Sequence, residues 1–345
     1  MSLTAKEKLV RLGVKSGVAP FTGPFGLQVG VTDFCNFSCE FCATFSHRRP
    51  ESDTPAPKNQ LDPAVFHRLV ADAKAMEVEQ ISLVGVGEPL LHKEIVPFVA
   101  AVTGAGIRCM LTTNGLALTD EKLDGLIGAG LDILNISVNA ATAETYALVN
   151  GPAKEGFFPT LVERLTKLGR RAERPRLSLR MVVNARTAAE IGLFARLVMA
   201  VGAEEGVFQN YATHRWAKEV TLDPATKAAL APALEQAGRE LEAAGIDTNA
   251  RFLAGLWRGD NDEADPDYYR RHPCLVGWTY ALIMEDGSVR PCCYCGASLG
   301  NINDRSFREI WEGEEYAAFR KLSFNLPTAG KAPERCVCFT LCGSI

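Results

Sequence analysis

From residue 61 to about 210 this chain repeats one pattern, a helical stretch followed by a short β-rich run. Helical periodicity covers 62–75, 93–104, 119–129, 158–170 and 187–201, and β-rich runs cover 79–84, 107–112, 132–138, 176–183 and 205–210. Such alternation predicts parallel strands joined by right-handed helical crossovers. An alternating run at 27–32 adds a strand before the first helix, so six strands are expected. Six are too few for a closed eight-stranded barrel. The reading is therefore α/β, a curved, partial (β/α)6 barrel over residues 26–215, preceded by a helix within 1–25.

Two of the strands carry polar residues on one face. Asn135, Ser137 and Asn139 alternate with Leu134, Ile136 and Val138, and Arg176, Ser178 and Arg180 alternate with Leu177, Leu179 and Met181. Strands buried on both faces normally read as continuous apolar runs, and side chains two apart share a face. Either these strands lie at a solvated edge, or the barrel encloses a polar lumen whose side chains need a polar ligand as partner. Cys109 is out of phase with Met110 and Thr112, which makes it a small core residue.

The chain has 345 residues and eleven cysteines. Cys35, Cys39 and Cys42 form a C-x3-C-x2-C loop after the first strand, and seven more lie between 274 and 342. Three thiolates on one loop can hold three irons of a 4Fe–4S cube and leave the fourth open. A zinc knuckle, the alternative, wants four ligands. Clustered cysteines without an apolar signal segment point to metal ligation in a reducing cytoplasm. A net charge of −4 gives no case for nucleic acid as the main partner, and no run of 18 apolar residues exists to span a membrane.

With Phe41 just before its last cysteine, the loop resembles that of the radical S-adenosylmethionine (radical SAM) enzymes, whose fold is the partial barrel. The resemblance extends to Gly85-Val86-Gly87-Glu88-Pro89 after the second strand, where the family's G-G-E motif binds the methionine amino group; Val86 replaces the first glycine, while Gly87 and Glu88 match. A backbone carbonyl still accepts from an ammonium there. Thr112-Thr113-Asn114-Gly115 looks like the family's T-N-G segment, placing Asn114 at the barrel mouth unless it is only a turn residue. Ser137-Val138-Asn139 stands where the family often has Ser-x-Asp, and Arg180 matches a carboxylate-pairing arginine or a structural ion pair. Phe41, Gly87, Glu88, Asn114, Ser137, Asn139 and Arg180 are thus the implied cofactor-binding residues.

Beyond a helix at about 224–244 and a charged stretch at 258–273, within a helical linker region at 216–272, Cys274 opens a small module over 273–345. Glu285-Asp286-Gly287-Ser288 marks a β-hairpin with an Asp-Gly turn. This layout resembles the SPASM or twitch extension, a β-hairpin and helix domain that holds auxiliary iron–sulfur clusters. The resemblance implies one auxiliary 4Fe–4S cluster, with a second as the alternative, and ligands among Cys274, Cys292, Cys336, Cys338 and Cys342; a zinc site is the structural alternative. Cys293 and Cys295 are extra: free thiols, further ligands or, for Cys295, a hydrogen-atom donor.

The implied activity is reductive cleavage of S-adenosylmethionine to a 5′-deoxyadenosyl radical that takes a hydrogen atom from substrate. A flavodoxin- or ferredoxin-type protein is the implied electron donor. Tyr211 and His214, at the end of the sixth strand, are candidates for substrate contact; His67 and His92 read as surface residues. Only about 25 residues precede the first strand. That favours a small polar substrate, a sugar or aminocyclitol that is dehydrogenated or epimerised, over the modification of a ribosomal peptide or protein. A non-catalytic iron–sulfur carrier is the reading from a different class.

Overall fold

Six short parallel strands, Gly26–Val29 (β1), Gln80–Leu83 (β2), Arg108–Thr113 (β3), Ile133–Ser137 (β4), Arg176–Val183 (β5) and Glu205–Asn210 (β6), follow one another in the sheet in chain order. They are seen in a computed structural model that describes residues 3–50, 59–151, 156–211, 217–260, 268–329 and 336. Helices Pro63–Ala75 (α2), Ile95–Gly104 (α3), Asp120–Gly128 (α4), Phe157–Gly169 (α6) and Ile191–Val201 (α7) make the crossovers, and Ala5–Ser16 (α1) precedes the barrel. Each crossover helix starts or packs for a readable reason. In α2, Asp62 accepts from the Ala64 and Val65 N–H groups and Pro63 fills the first turn, while Val65, Phe66, Leu69, Val70 and Ala73 form the buried stripe.

The register fixes the faces. Gln28 pairs with Ser82 and Ser82 with Met110, while Thr112 pairs with Asn135 and Asn135 with Ser178. Residues in register share a face, so these polar groups form the inner one. Leu27, Ile81, Cys109, Leu111, Leu134 and Leu177 form the other, wholly buried face. Cys109 is a core residue, and burial pushes its thiol up to about 12. Because β4 and β5 are interior strands, their polar residues do not lie at a solvated edge.

Three features depart from the sequence reading. First, among the described residues the sheet has nine strands, with Asp247–Thr248 (β7), Tyr280–Ile283 (β8) and Val289–Arg290 (β9) added in the order β7-β6-β5-β4-β3-β2-β1-β8-β9. β7 extends it beyond β6. The C-terminal hairpin of β8 and β9 is not a separate small sheet, because β8 pairs in parallel with β1 from Gly26↔Tyr280 to Val29↔Ile283. The Asp-Gly turn is as expected, with Gly287 at φ 81 and its N–H donating to the Met284 carbonyl at 2.9 Å. Second, two further helices appear: Ala143–Asn150 (α5) lies between β4 and α6, and Ala250–Arg258 (α9) packs against Pro224–Ala243 (α8). Third, His92 is buried rather than on the surface; its Nε2 lies 3.2 Å from the Leu61 carbonyl and its Nδ1 accepts from the Glu94 N–H. His67 is exposed, as expected. Among the described residues no helix is long and apolar enough to cross a membrane.

Candidate active site at the barrel mouth

Cys35, Cys39 and Cys42 line one cavity of about 280 Å3, shared with Phe41, Gly85, Gly87, Glu88, Asn114, Ser137 and Asn139. All but one of the implied cofactor residues therefore converge on the cysteine loop. The exception is Arg180. Its guanidinium lies 3.7 Å from Glu205 on the neighbouring strand, and it does not line this cavity.

The loop is held by its neighbours. The Gly87 N–H donates to the Thr32 carbonyl at 3.1 Å and the Glu88 N–H to that of Phe34 at 2.7 Å. A Cβ on Gly87 would collide with both of those backbone oxygens, which is why only glycine fits. Glu88 is 2% exposed, and its carboxylate is already occupied. It accepts from the Leu90 N–H at 3.0 Å, the Thr113 hydroxyl at 2.5 Å and the Asn114 N–H at 2.7 Å. Burial pushes the Glu88 carboxyl up, against the pull of those donors. Glu88 thus knits the end of β2 to the end of β3 and shapes the wall. Asn114 reaches the cysteine loop itself, donating from Nδ2 to Asn36 Oδ1 at 2.7 Å while its Oδ1 accepts from the Leu116 N–H.

Asn139, two residues beyond β4, sits in the left-handed region at φ 61, a conformation asparagine tolerates better than most residues. Its Oδ1 accepts from the Val182 N–H at 3.2 Å. Behind the cysteines, Asn150 Oδ1 lies 3.4 Å from Cys39 Sγ. Glu40, inside the cysteine loop and wholly buried, pairs with Arg48 and, at 3.5 Å, with Arg186; Arg48 also holds Glu219.

Tyr211 follows directly on β6. It is buried against Ala217, Val220 and Phe41, and its hydroxyl donates to the Ala217 carbonyl at 3.2 Å. His214, Cys338 and Cys342 lie outside the described residues. In the C-terminal module, Cys274 and Cys292 are buried, and Cys295 is joined to Cys336 as a disulfide. Cys295 is 1% exposed, so its sulfur is buried here and bonded to that of Cys336. Cys336, expected as a ligand, is its partner, which sets Cys295 among the cysteines of the C-terminal module rather than at the barrel mouth.

The sequence matches two family models, one described as the radical SAM superfamily over residues 29–198 and one as an iron–sulfur cluster-binding (SPASM) domain over 274–339. The chain belongs to the radical SAM superfamily. Among curated proteins it is similar to the PqqA peptide cyclase of Methylocella silvestris, with 27% identity over 340 residues covering 93% of this chain and 85% of that protein. A PqqA peptide cyclase of Xanthomonas campestris is 28% identical over 328 residues, covering 90% of this chain and 80% of its own. Among solved structures, Streptococcus suis SuiB bound to S-adenosylmethionine shares the fold at a TM-score of 0.69 and 16% identity, covering 93% of this chain and 75% of that one. Native anSMEcpe with bound AdoMet does so at 0.66 and 19%, covering 93% and 88%.

A radical SAM enzyme with a SPASM domain carries S-adenosylmethionine, a 4Fe–4S cluster and an auxiliary iron–sulfur cluster. The residues present fit them. The three thiols share one cavity, and on the inner face Asn135 Oδ1, Ser178 Oγ and Arg180 Nε are buried without a hydrogen-bond partner, leaving polar capacity in the barrel. Sequence reasoning missed Asn36, Asn150 and Glu40 in this radical SAM site. Glu40 alone left a signal, a charge between two ligand cysteines.

Burial pushes the Cys35 thiol up to about 11 and that of Cys39 well above its ordinary value. Iron takes the thiolate, so assembly must expel these protons. The sign follows: a raised thiol pKa leaves less thiolate at a given pH, and the deficit shrinks as pH rises towards 11. Anaerobic reconstitution is expected to run faster at about pH 8.5 than at about pH 7, as read from the growth of visible absorption; equal rates would contradict it.

Proposed function

We propose that this radical SAM enzyme modifies a peptide substrate by oxidative removal of hydrogen. The carrying observation is the similarity to PqqA peptide cyclases, which runs through both the barrel and the C-terminal module and covers 93% of this chain. Two structural neighbours, SuiB bound to precursor peptide SuiA and anSMEcpe with bound AdoMet and Kp18Cys peptide, agree with a peptide as the class of substrate. The peptide reading therefore takes precedence over a sugar or aminocyclitol that is dehydrogenated or epimerised.

The cluster that Cys35, Cys39 and Cys42 would hold, with S-adenosylmethionine, would supply a 5′-deoxyadenosyl radical that takes one hydrogen atom from a C–H bond, while the second hydrogen would leave as a proton with its electron passed to the auxiliary cluster. This chain's residues hold the reactants. The Gly85-Val86-Gly87 backbone offers carbonyl acceptors to the cofactor's ammonium, Asn114 and Glu88 fix that wall, and Ser137 faces the same cavity. Cys274, Cys292, Cys338 and Cys342 are the candidate ligands of the auxiliary cluster, with Cys336 and Cys295 available once the bond between them is reduced, and a reduced flavodoxin or ferredoxin delivers the electron.

The test uses anaerobically reconstituted full-length protein, dithionite and S-adenosylmethionine. Synthetic peptides encoded next to the gene are added one at a time. The expected result is 5′-deoxyadenosine formation stimulated by one peptide, which loses two hydrogen atoms by mass. Stimulation by an aminocyclitol and by none of the peptides would overturn the proposal. No 5′-deoxyadenosine under any condition would point to the carrier reading.

A further inference from the structure

The segment that walls the cofactor cavity is set by three consecutive hydrogen bonds, and the first comes from the far end of the chain. The Gly87 and Glu88 N–H groups donate to the backbone carbonyls of Thr32 and Phe34. The Val86 N–H instead donates to a side chain, Glu285 Oε1, at 2.7 Å. Glu285 follows β8 and begins the Asp-Gly turn. It is 6% exposed and crosses the end of β1 to reach β2.

Two glycines make room for it. A Cβ on Gly30 would stand 2.5 Å from Glu285 Oε1, with the next two nearest atoms also in that side chain. A Cβ on Gly85 would stand 2.5 Å from the same oxygen and 2.7 Å from Gly30 Cα. Glycines after two different strands therefore frame one carboxylate oxygen delivered by a third.

The consequence lies in the peptide planes. The peptide bonds of the described residues are trans, so each N–H opposes the carbonyl of the residue before it. Fixing the N–H of Val86, Gly87 and Glu88 aims the carbonyls of Gly85, Val86 and Gly87 away from Glu285, Thr32 and Phe34. Gly85 and Gly87 line the cavity with the three cysteines. A row of carbonyls beside that cavity suits a cationic group, and S-adenosylmethionine carries an ammonium.

We propose that Glu285 is a positioning residue for S-adenosylmethionine: through the Val86 N–H it orients the first carbonyl of the row that receives the cofactor's ammonium. The SPASM hairpin thereby completes the cofactor site of the barrel. Glu285 touches no reacting atom; it acts through the Gly85–Val86 peptide. The role is independent of the substrate class and stands if the peptide assignment fails.

The experiment measures S-adenosylmethionine affinity by equilibrium dialysis on anaerobically reconstituted full-length protein. Iron content and thermal midpoint serve as controls. Glu285→Met fills the space without the acceptor, and Glu285→Gln restores an acceptor oxygen. Binding is expected to weaken about tenfold in Glu285→Met and to return to within about twofold of wild type in Glu285→Gln. Gly30→Ala provides an independent displacement, because its new methyl group strikes the carboxylate first. It too is expected to weaken binding, and to add nothing further when combined with Glu285→Met.

If Glu285→Met does not fold, Gly30→Ala alone decides. Wild-type affinity in the variants, or fully additive losses in the double variant, would overturn the proposal. So would a thermal midpoint that falls while affinity stays constant, since that is what a purely structural carboxylate would give.

Discussion

Replacing Cys35 with alanine should reduce 5′-deoxyadenosine formation to below about one-hundredth of wild type. Loss of an outer-shell partner of a metal ligand already costs about 10–100-fold, and Cys35 is one of only three thiols from the loop that face the cavity. Nothing nearby can replace it: Asn36 is committed to Asn114, and Glu88 to three donors. Iron per chain should fall by one cluster's share while the C-terminal module keeps its own iron. The two sites are thereby separated in a single sample. A Cys35→Ala protein that still cleaved S-adenosylmethionine reductively would remove the basis for placing the chemistry at this loop.

Glu88→Ala has the largest expected effect on stability. It leaves the Leu90 and Asn114 N–H groups without partners, and both residues are buried. An orphaned buried donor costs about 1–3 kcal/mol, so the two together, with the Thr113 hydroxyl, come to roughly 3–5 kcal/mol. That is a large part of the 5–15 kcal/mol typical of a folded domain. Denaturant unfolding of the metal-free protein checks it without reference to activity. Glu88→Gln keeps one acceptor oxygen and should lose less. If Glu88→Ala unfolded within about 1 kcal/mol of wild type, the carboxylate would be a dispensable neighbour of the cofactor rather than a brace between two strand ends.

The parts of the fold that sequence reveals are those written in local periodicity. β5 and β6 fall where alternation puts them, and the Asp-Gly turn and the N-terminus of α2 are carried by adjacent residues. Likewise, the cysteine spacing and the G-x-G-E-P string identify residues that meet in one cavity. What stayed hidden is non-local. The hairpin reads as self-contained because its turn is local, whereas its pairing with β1 joins segments about 250 residues apart. Glu88 could be named, but not that its carboxylate is spent on three donors. Arg180 alternates correctly on the inner face, yet periodicity does not show that Glu205 stands 3.7 Å from it on the next strand. His92 sits beside a helix start and looks exposed until the Leu61 carbonyl is found against its ring.

The parallel contact between β1 and β8 has a consequence for how the chain is made. Until Ile283 leaves the ribosome, one side of the first strand has no neighbour and shows a free row of amides and carbonyls. The nascent barrel is therefore a sticky intermediate throughout most of synthesis, and the strand made first is finished nearly last. Contacts this distant in sequence form slowly. Production of the protein should depend on chaperones that shield that edge, and premature termination before the hairpin should yield inclusion bodies rather than a smaller working barrel.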